Sequence, residues 1–387
     1  MKSRGSIRQI SKAKKSWKII IELPKDEVTG KRRQKSFTCY GTKKEAEKFK
    51  TEKLRELDTG ELIETKKIKF SEYLDYWLKV ESQSNLRKNT VEGYKHYINR
   101  HIKPKLGNIL LEDIKPIHLQ KFYLQQLESG ELKSGKGLSK RTVQSMHRII
   151  HKALQQALKW RMITRNVADN VEVPKAEKYE ARFLDEKEIR NLIEKVKDSE
   201  LYIPVVISCF TGLRRGEVLG LTWEDIDFEK GYIKISKQLQ RIGGENILVP
   251  TKTAKSNRKV AISKTLIDIL KKYKTKQMEN KILLGEKYGN DINAVCTYQS
   301  GKLFNPKRFS AKFNEFLKKA ELPIIRFHDL RHTHASLLLK MGVKDKLISE
   351  RLGHSSIGIT MDLYSHIYNG EDEKIANDFD TLIKIAN

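Results

Sequence analysis

At 387 residues the chain is longer than one ordinary domain and has room for two or three, and its 38% hydrophobic content is enough for packed cores. With 77 Lys and Arg against 49 Asp and Glu, the net charge of +28 disfavours a cationic partner and favours a polyanion whose binding releases counterions; nucleic acid comes first and an anionic membrane surface second. No apolar run reaches the ~18 to 20 residues of a spanning helix, Met1-Lys2-Ser3-Arg4-Gly5 has no apolar stretch behind its charges, and Cys39, Cys209 and Cys296 lie far apart without Cys-x-x-Cys spacing. The expectation is a soluble cytoplasmic protein with no membrane partner, no disulfide framework and no zinc knuckle.

Residues 1–40 alternate as strands do, at Ile7 to Ile10, Trp17 to Leu23 and Lys35 to Tyr40, with the hairpin signal Asp26-Glu27-Val28-Thr29-Gly30-Lys31 before the last. Twelve Lys and Arg stand here against three acidic residues, a net +9 in about a tenth of the chain. Thr42, with Glu45 three residues on, opens a helix through Leu57 by a capping box. A small basic sheet backed by one helix is a compact DNA-reading module, because a sheet can enter the major groove. Its candidate contacts are Trp17, Lys18, Lys31, Arg32, Arg33 and Lys35. The plainer reading is a solvated basic hairpin.

After a linker near residues 58–69 the period becomes helical. Phe70 to Val80 forms one helix, and a second starts at Asn89 as cap with Glu92 at the capping-box position. Pro116 at N1 opens a third. A fourth follows Ser139, with Val143, Met146, Ile150, Ala153, Leu154 and Ala157 on one face. The insert from Ser129 to Lys140 reads as an exposed loop, and residues 166–180 as an extended linker anchored by Pro174. Asp185 with Glu188 caps the first helix of the last domain. Strands are expected at Tyr232 to Leu239, Asn246 to Val249 and Lys259 to Ile262, with Lys252 on the hairpin loop between the last two. The resulting organisation is residues 1–62, 66–165, a linker at 166–180, and 181–387.

The chemistry concentrates at the C-terminal end, in Arg326-Phe327-His328-Asp329-Leu330-Arg331-His332-Thr333-His334, then Leu352-Gly353-His354-Ser355, then Tyr364-Ser365-His366. His328 and Arg331 stand three apart and share a helix face, so both could hold one oxyanion while the guanidinium engages two of its oxygens. Tyr364 supplies a phenol ten residues after His354. Cationic donors plus a phenol make a phosphate site with a nucleophile. A rival arrangement is metal chemistry, since His328 and His332 stand at i and i+4, close to a zincin pattern. A second rival is a regulator or architectural protein that binds DNA without cutting it.

Taken with Thr211-Gly212-Leu213-Arg214-Arg215-Gly216-Glu217 and the lysine loop Thr251-Lys252-Thr253-Ala254-Lys255, these segments occur in an order that resembles the tyrosine recombinases. They look most like the integrases of temperate phages and conjugative transposons, and the resemblance spans essentially the whole chain. It implies a multidomain α+β fold: an N-terminal arm-binding sheet with one helix, a helical core-site-binding domain, and a mainly helical catalytic domain with a small antiparallel sheet. It implies that Arg214, Lys252, His328, Arg331 and His354 form the catalytic set and that Tyr364 is the nucleophile, with Glu217 orienting Arg214; Lys255 is the rival for Lys252. Val167, where a proline is often found, bears on the linker alone.

By the same resemblance Tyr364 attacks the scissile phosphate to give a 3′-phosphotyrosyl link, and neither a metal nor ATP is required. The partners implied are double-stranded core and arm-type attachment sites and a homotetramer on two duplexes, with an excisionase and a host DNA-bending protein as possible accessory factors; direction control is not legible in the sequence. Ile375, Phe379, Leu382 and Ile383 give the tail an amphipathic face, packed on a neighbouring subunit or within its own domain. A type IB topoisomerase-like or resolvase-type strand transferase is the alternative within DNA strand transfer, and the N-terminal basic module argues for the integrase.

Overall fold

The computed structural model describes residues 5–11, 15–24, 32–58, 67–83, 86–131, 134–177, 182–251 and 256–353, and it divides into two compact units, Met1–Glu177 and Lys178–Asn387.

The first unit opens with an antiparallel sheet of β1 (Gly5–Ser11), β2 (Ser16–Leu23) and β3 (Arg33–Tyr40), with β2 central, and α1 (Lys43–Asp58) follows. The capping box forms: Thr42 N donates to Glu45 Oε2 (2.6 Å) and Glu45 N to Thr42 Oγ1 (3.3 Å). Strand alternation sends Ile19 and Ile21 against Ala46 and Phe49 of α1, and this is the small core of the module.

Helices α2 (Phe70–Gln83), α3 (Lys88–Tyr97), α4 (Lys103–Leu106), α5 (Pro116–Ser129) and α6 (Lys140–Lys159) form a bundle in which α3 runs into α4 through a π turn, Ile98–Ile102. Ser139 caps α6 as expected, and the six apolar positions read from its period are all buried. Asn89 is not the cap of α3. The extended residue is Arg87, which makes no side-chain cap bond, and Tyr94 stacks on Trp77 of α2, so packing sets this helix's start. The segment expected to be an extended linker begins instead with a 3-10 turn, Val167–Asn170, whose Val167 and Ala168 are buried in the bundle core. Gln144 Nε2 then donates to the Pro174 carbonyl (2.8 Å), so the chain stays attached to the bundle to that point.

The second unit holds α7 (Glu186–Val196), α8 (Tyr202–Thr211), α9 (Arg215–Leu219), β4 (Ile226–Asp227), β5 (Tyr232–Ile235), β6 (Lys237–Ile242), β7 (Glu245–Pro250), β8 (Arg258–Ala261), α10 (Lys264–Leu284), α11 (Pro306–Lys319), α12 (Asp329–Lys340) and α13 (Asp345–Leu352). Asp185 and Glu188 cap α7 reciprocally. The apolar helix α8 is buried along most of its length, and α12 packs beside it.

One expectation changes here. The strand read as Tyr232 to Leu239 breaks at Ser236: β5 pairs with β4 and β8, whereas β6 pairs with β7. β7 and β8, the strands on either side of residues 251–257, therefore lie in different sheets and do not pair with each other. Pairing partners are non-local, and strand alternation alone does not encode them. Among the described residues no helix is long and apolar enough to cross a membrane.

Candidate active site

The site is built on the turn between α8 and α9. Gly212 ends α8 with φ +66°, the left-handed conformation that closes many helices. A Cβ there would also lie 2.5 Å from Leu352 Cδ2 and 2.7 Å from His334 Cδ2, so only glycine lets this turn sit against α12 and α13. The Gly212 carbonyl accepts from Arg331 Nη1 at 2.9 Å. Two residues later Arg214 occupies the N-cap position of α9. One turn thus anchors Arg331 and launches Arg214, bringing together two cations more than a hundred residues apart in sequence.

Arg214 is fastened on both sides. Its backbone N donates to Glu217 Oε2 (3.0 Å), Nη1 to Glu217 Oε1 (2.8 Å) and Nη2 to the Gly353 carbonyl (2.8 Å). Glu217 is also gripped by Arg258, with Nη2 to Oε2 at 2.9 Å and Nη1 to Oε1 at 3.4 Å. Burial pushes the Glu217 carboxyl up, but Arg258 and Arg214 outweigh it and hold the group below the usual carboxylate range. Removing the carboxylate leaves two guanidiniums facing each other, and breaking a buried ion pair typically costs about 3–5 kcal/mol. Glu217→Gln is therefore expected to lose stability of that order at pH 7 in urea unfolding. A depressed carboxyl pKa gives stability that is full above the unfolded value and is lost as pH falls through the folded one. The gap to the parent should accordingly close only in acid; a gap unchanged down to about pH 3 would mean the carboxylate is not the ionised partner.

Gly353, with φ +68°, ends α13, and a Cβ on it would lie 3.0 Å from Arg258 Nη1. Just before it, Arg351 donates from Nε to His334 Nε2 (3.1 Å) and from Nη2 to the carbonyls of Phe210 (3.1 Å) and Ala261 (3.2 Å). His334 must then carry its proton on Nδ1, which donates to the Cys209 carbonyl at 2.8 Å. Burial and the neighbouring Arg351 push its pKa down to about 4, so the ring is neutral at physiological pH.

His328 stands at the N-cap position of α12 with helical backbone angles, and Arg331 N donates back to its carbonyl at 3.1 Å, so the three-residue spacing keeps helical geometry. Burial, then His332 and Arg331, push the His328 pKa down to about 4. Its ring meets that of His332 edge to face at 5.0 Å. Arg331 is 1% exposed. The Asp329 carboxylate accepts from Arg326 N (2.8 Å) and Nη2 (2.7 Å), turning it away from metal-ligand duty. Among the described residues no group of three or more His, Cys, Asp or Glu could hold a metal ion. Lys252, Lys255, His354, Tyr364 and the amphipathic tail lie outside the described residues.

Arg258 and Arg351 were not singled out from sequence. Arg258 shares the inward register of β8 with Val260, and that period-two placement was the available signal. Arg351 lies beside Leu352 and one turn after the buried Ile348 on α13.

At the N-terminus the sheet register sorts the candidate contacts. Trp17 lies on the α1 side, pairs in register with Gln9 and Cys39, and donates from Nε1 to the Gly41 carbonyl at 2.9 Å. It packs at the corner into α1. Lys35 is on the same side, its Nζ 5.6 Å from the centre of the Phe37 ring. The open face instead carries Lys18, in register with Arg8 and Thr38. Arg32 is exposed ahead of β3, Arg33 pairs with Leu23, and Lys31 lies outside the described residues.

Comparison with known proteins agrees with this architecture. The phage integrase family model matches residues 182–371, and the phage integrase N-terminal SAM-like domain matches residues 69–127. A tyrosine recombinase XerC-like protein of Caldanaerobacter subterraneus subsp. tengcongensis is 28% identical over 377 residues, covering 92% of this chain and 94% of that protein. The ICEBs1 integrase of Bacillus subtilis is 27% identical over 372 residues, covering 95% and 97%. Among solved structures, the Tn1549 transposon integrase in complex with transposon right end DNA aligns at a TM-score of 0.67 and 21% identity, over 80% of this chain and all of that one (100%). A lambda integrase tetramer bound to a Holliday junction aligns at a TM-score of 0.57 and 19% identity, over 93% and 94%. The chain belongs to the phage integrase family of tyrosine recombinases.

Proposed function

We propose that the chain is a site-specific recombinase that integrates and excises a mobile element, cutting and rejoining DNA through a 3′-phosphotyrosyl intermediate. The observation that carries this reading is the convergence of Arg214 and Arg331 on one glycine turn, beside the carbonyl that precedes His354. Tyr364 attacks the scissile phosphorus, a bond forms from its phenolic oxygen, and the 5′-oxygen of the next nucleotide leaves. Arg214, Arg331 and His354 stabilise charge growing on the non-bridging oxygens. Lys252, or its rival Lys255, protonates the leaving oxygen. His328, whose pKa burial and its neighbours push down to about 4 in the free protein, is uncharged there, so it assists phosphate binding as a hydrogen-bond donor or accepts the phenol's proton. Because the covalent link keeps the energy of the phosphodiester, religation needs no nucleotide.

In this reading double-stranded core and arm-type sites are the substrates, the working form is a homotetramer on two duplexes, and an excisionase and a host bending protein bias direction. A nicked duplex bearing the end sequence of the element tests it. The cut strand should end linked through its 3′-phosphate to Tyr364, in EDTA as well as without it; failure to form any covalent adduct would sink the reading.

The arm-type contact is assigned to the open sheet face. Neutralising Lys18 there should lower the salt slope of arm-site binding by about one unit while leaving core cleavage unchanged. Binding measured across a salt series decides, and an unaltered slope would remove this face from the DNA contact.

A further inference from the structure

Two arginines share one carboxylate, and only one of them faces outward. The Arg214 side chain is 34% exposed, that of Arg258 is 7% exposed, and Glu217 between them is 3% exposed. A guanidinium stays protonated in a protein. Were Glu217 paired with Arg214 alone, the pair would be neutral, and a neutral pair attracts a phosphate poorly. The second guanidinium returns the trio to a net +1. Arg258 cannot swing out to meet DNA in place of Arg214, because Nε is committed to the Arg351 carbonyl (2.7 Å) and Nη1 also reaches the Ser256 carbonyl (3.2 Å). The surplus positive charge is therefore presented by the exposed member, Arg214.

We propose that Arg258 is a positioning residue for strand transfer: it balances the buried Glu217, so that Glu217 can orient Arg214 without cancelling the charge Arg214 offers the scissile phosphate. The inference rests on Arg214 being a phosphate ligand. Arg258 also opens the strand that follows residues 251–257, and through Arg351 it is tied to α13 ahead of His354. Its two non-local partners, Glu217 after α8 and Arg351 on α13, come from separate segments, so it holds both in register with β8 as well as balancing charge.

Charge balance makes a prediction that mere packing does not. Arg258→Gln leaves the trio neutral. Single-turnover cleavage of a nicked duplex bearing the element's end sequence should fall on the order of 10- to 100-fold, short of the loss typical for a direct oxyanion donor, while the dissociation constant for that duplex changes little. Glu217→Gln combined with Arg258→Gln restores the net +1 and should cleave faster than Arg258→Gln alone, although it has lost one more native group. Arg258→Lys keeps the charge and should stay within about tenfold of the parent.

A packing role predicts the opposite order, with the double variant no faster than the single one, and that result overturns the proposal. If Arg258→Gln fails to fold by thermal melting, the two charge-preserving variants carry the test: both folded and binding the duplex, yet both without cleavage, is equally fatal. Arg214→Ala separates this proposal from the reading beneath it. If Arg214→Ala cleaves normally, the phosphate site itself is misassigned. If it is inactive while Arg258→Gln cleaves at the parental rate, only the role of Arg258 falls.

Discussion

Phenylalanine at position 364 should leave a folded protein that binds core DNA with parental affinity and forms no covalent adduct. The substitution keeps the ring and removes one oxygen, so every packing contact of the aromatic face survives while the nucleophile is gone. A denaturing gel of the trapped nicked duplex reads the result directly. The expected loss is complete, because phenylalanine has no oxygen with which to attack the phosphate. An adduct persisting in Tyr364→Phe would move the nucleophile to another residue.

Arg331→Ala should reduce single-turnover cleavage by about 10²- to 10³-fold, the usual loss on removing one preorganised donor. It should leave the salt slope of DNA binding nearly unchanged, since a guanidinium 1% exposed does little to condense or release counterions along a duplex. The same substitution strips the Gly212 carbonyl of its donor, an additional cost of about 1–3 kcal/mol in stability. Melting must therefore be followed beside cleavage. Should binding fall in proportion to cleavage, Arg331 is a docking residue and the clamp assignment fails.

Local signals carried most of the architecture. Thr42 with Glu45 and Asp185 with Glu188 sit where their spacing put them, because a capping box involves only residues three apart. The buried face of α6 was readable for the same reason. The change of strand partner at Ser236 was not, since hydrogen-bond pairing between β5 and β8 joins segments that no local pattern links. Trp17 sits amid lysines and reads as a DNA contact; that its indole also closes a corner onto Gly41 is not legible in the local pattern. In the site, the motifs that bear Arg214, Glu217 and Arg331 were visible at once, whereas Arg258 looked like one more basic residue in a chain that carries 77. Its importance lies in a partner 41 positions away, and only the fold supplies that.

The hold of Arg214 on the Gly353 carbonyl fixes the point from which the remaining chain departs. Tyr364 lies eleven residues beyond that anchor, and eleven residues can span at most about 36–40 Å whatever path they take. If Tyr364 is the attacking group, every phosphate it can reach must lie within that span of the anchor. Insertions or deletions between Gly353 and Tyr364 would retune which phosphate is attacked while leaving the arginine cluster as it stands.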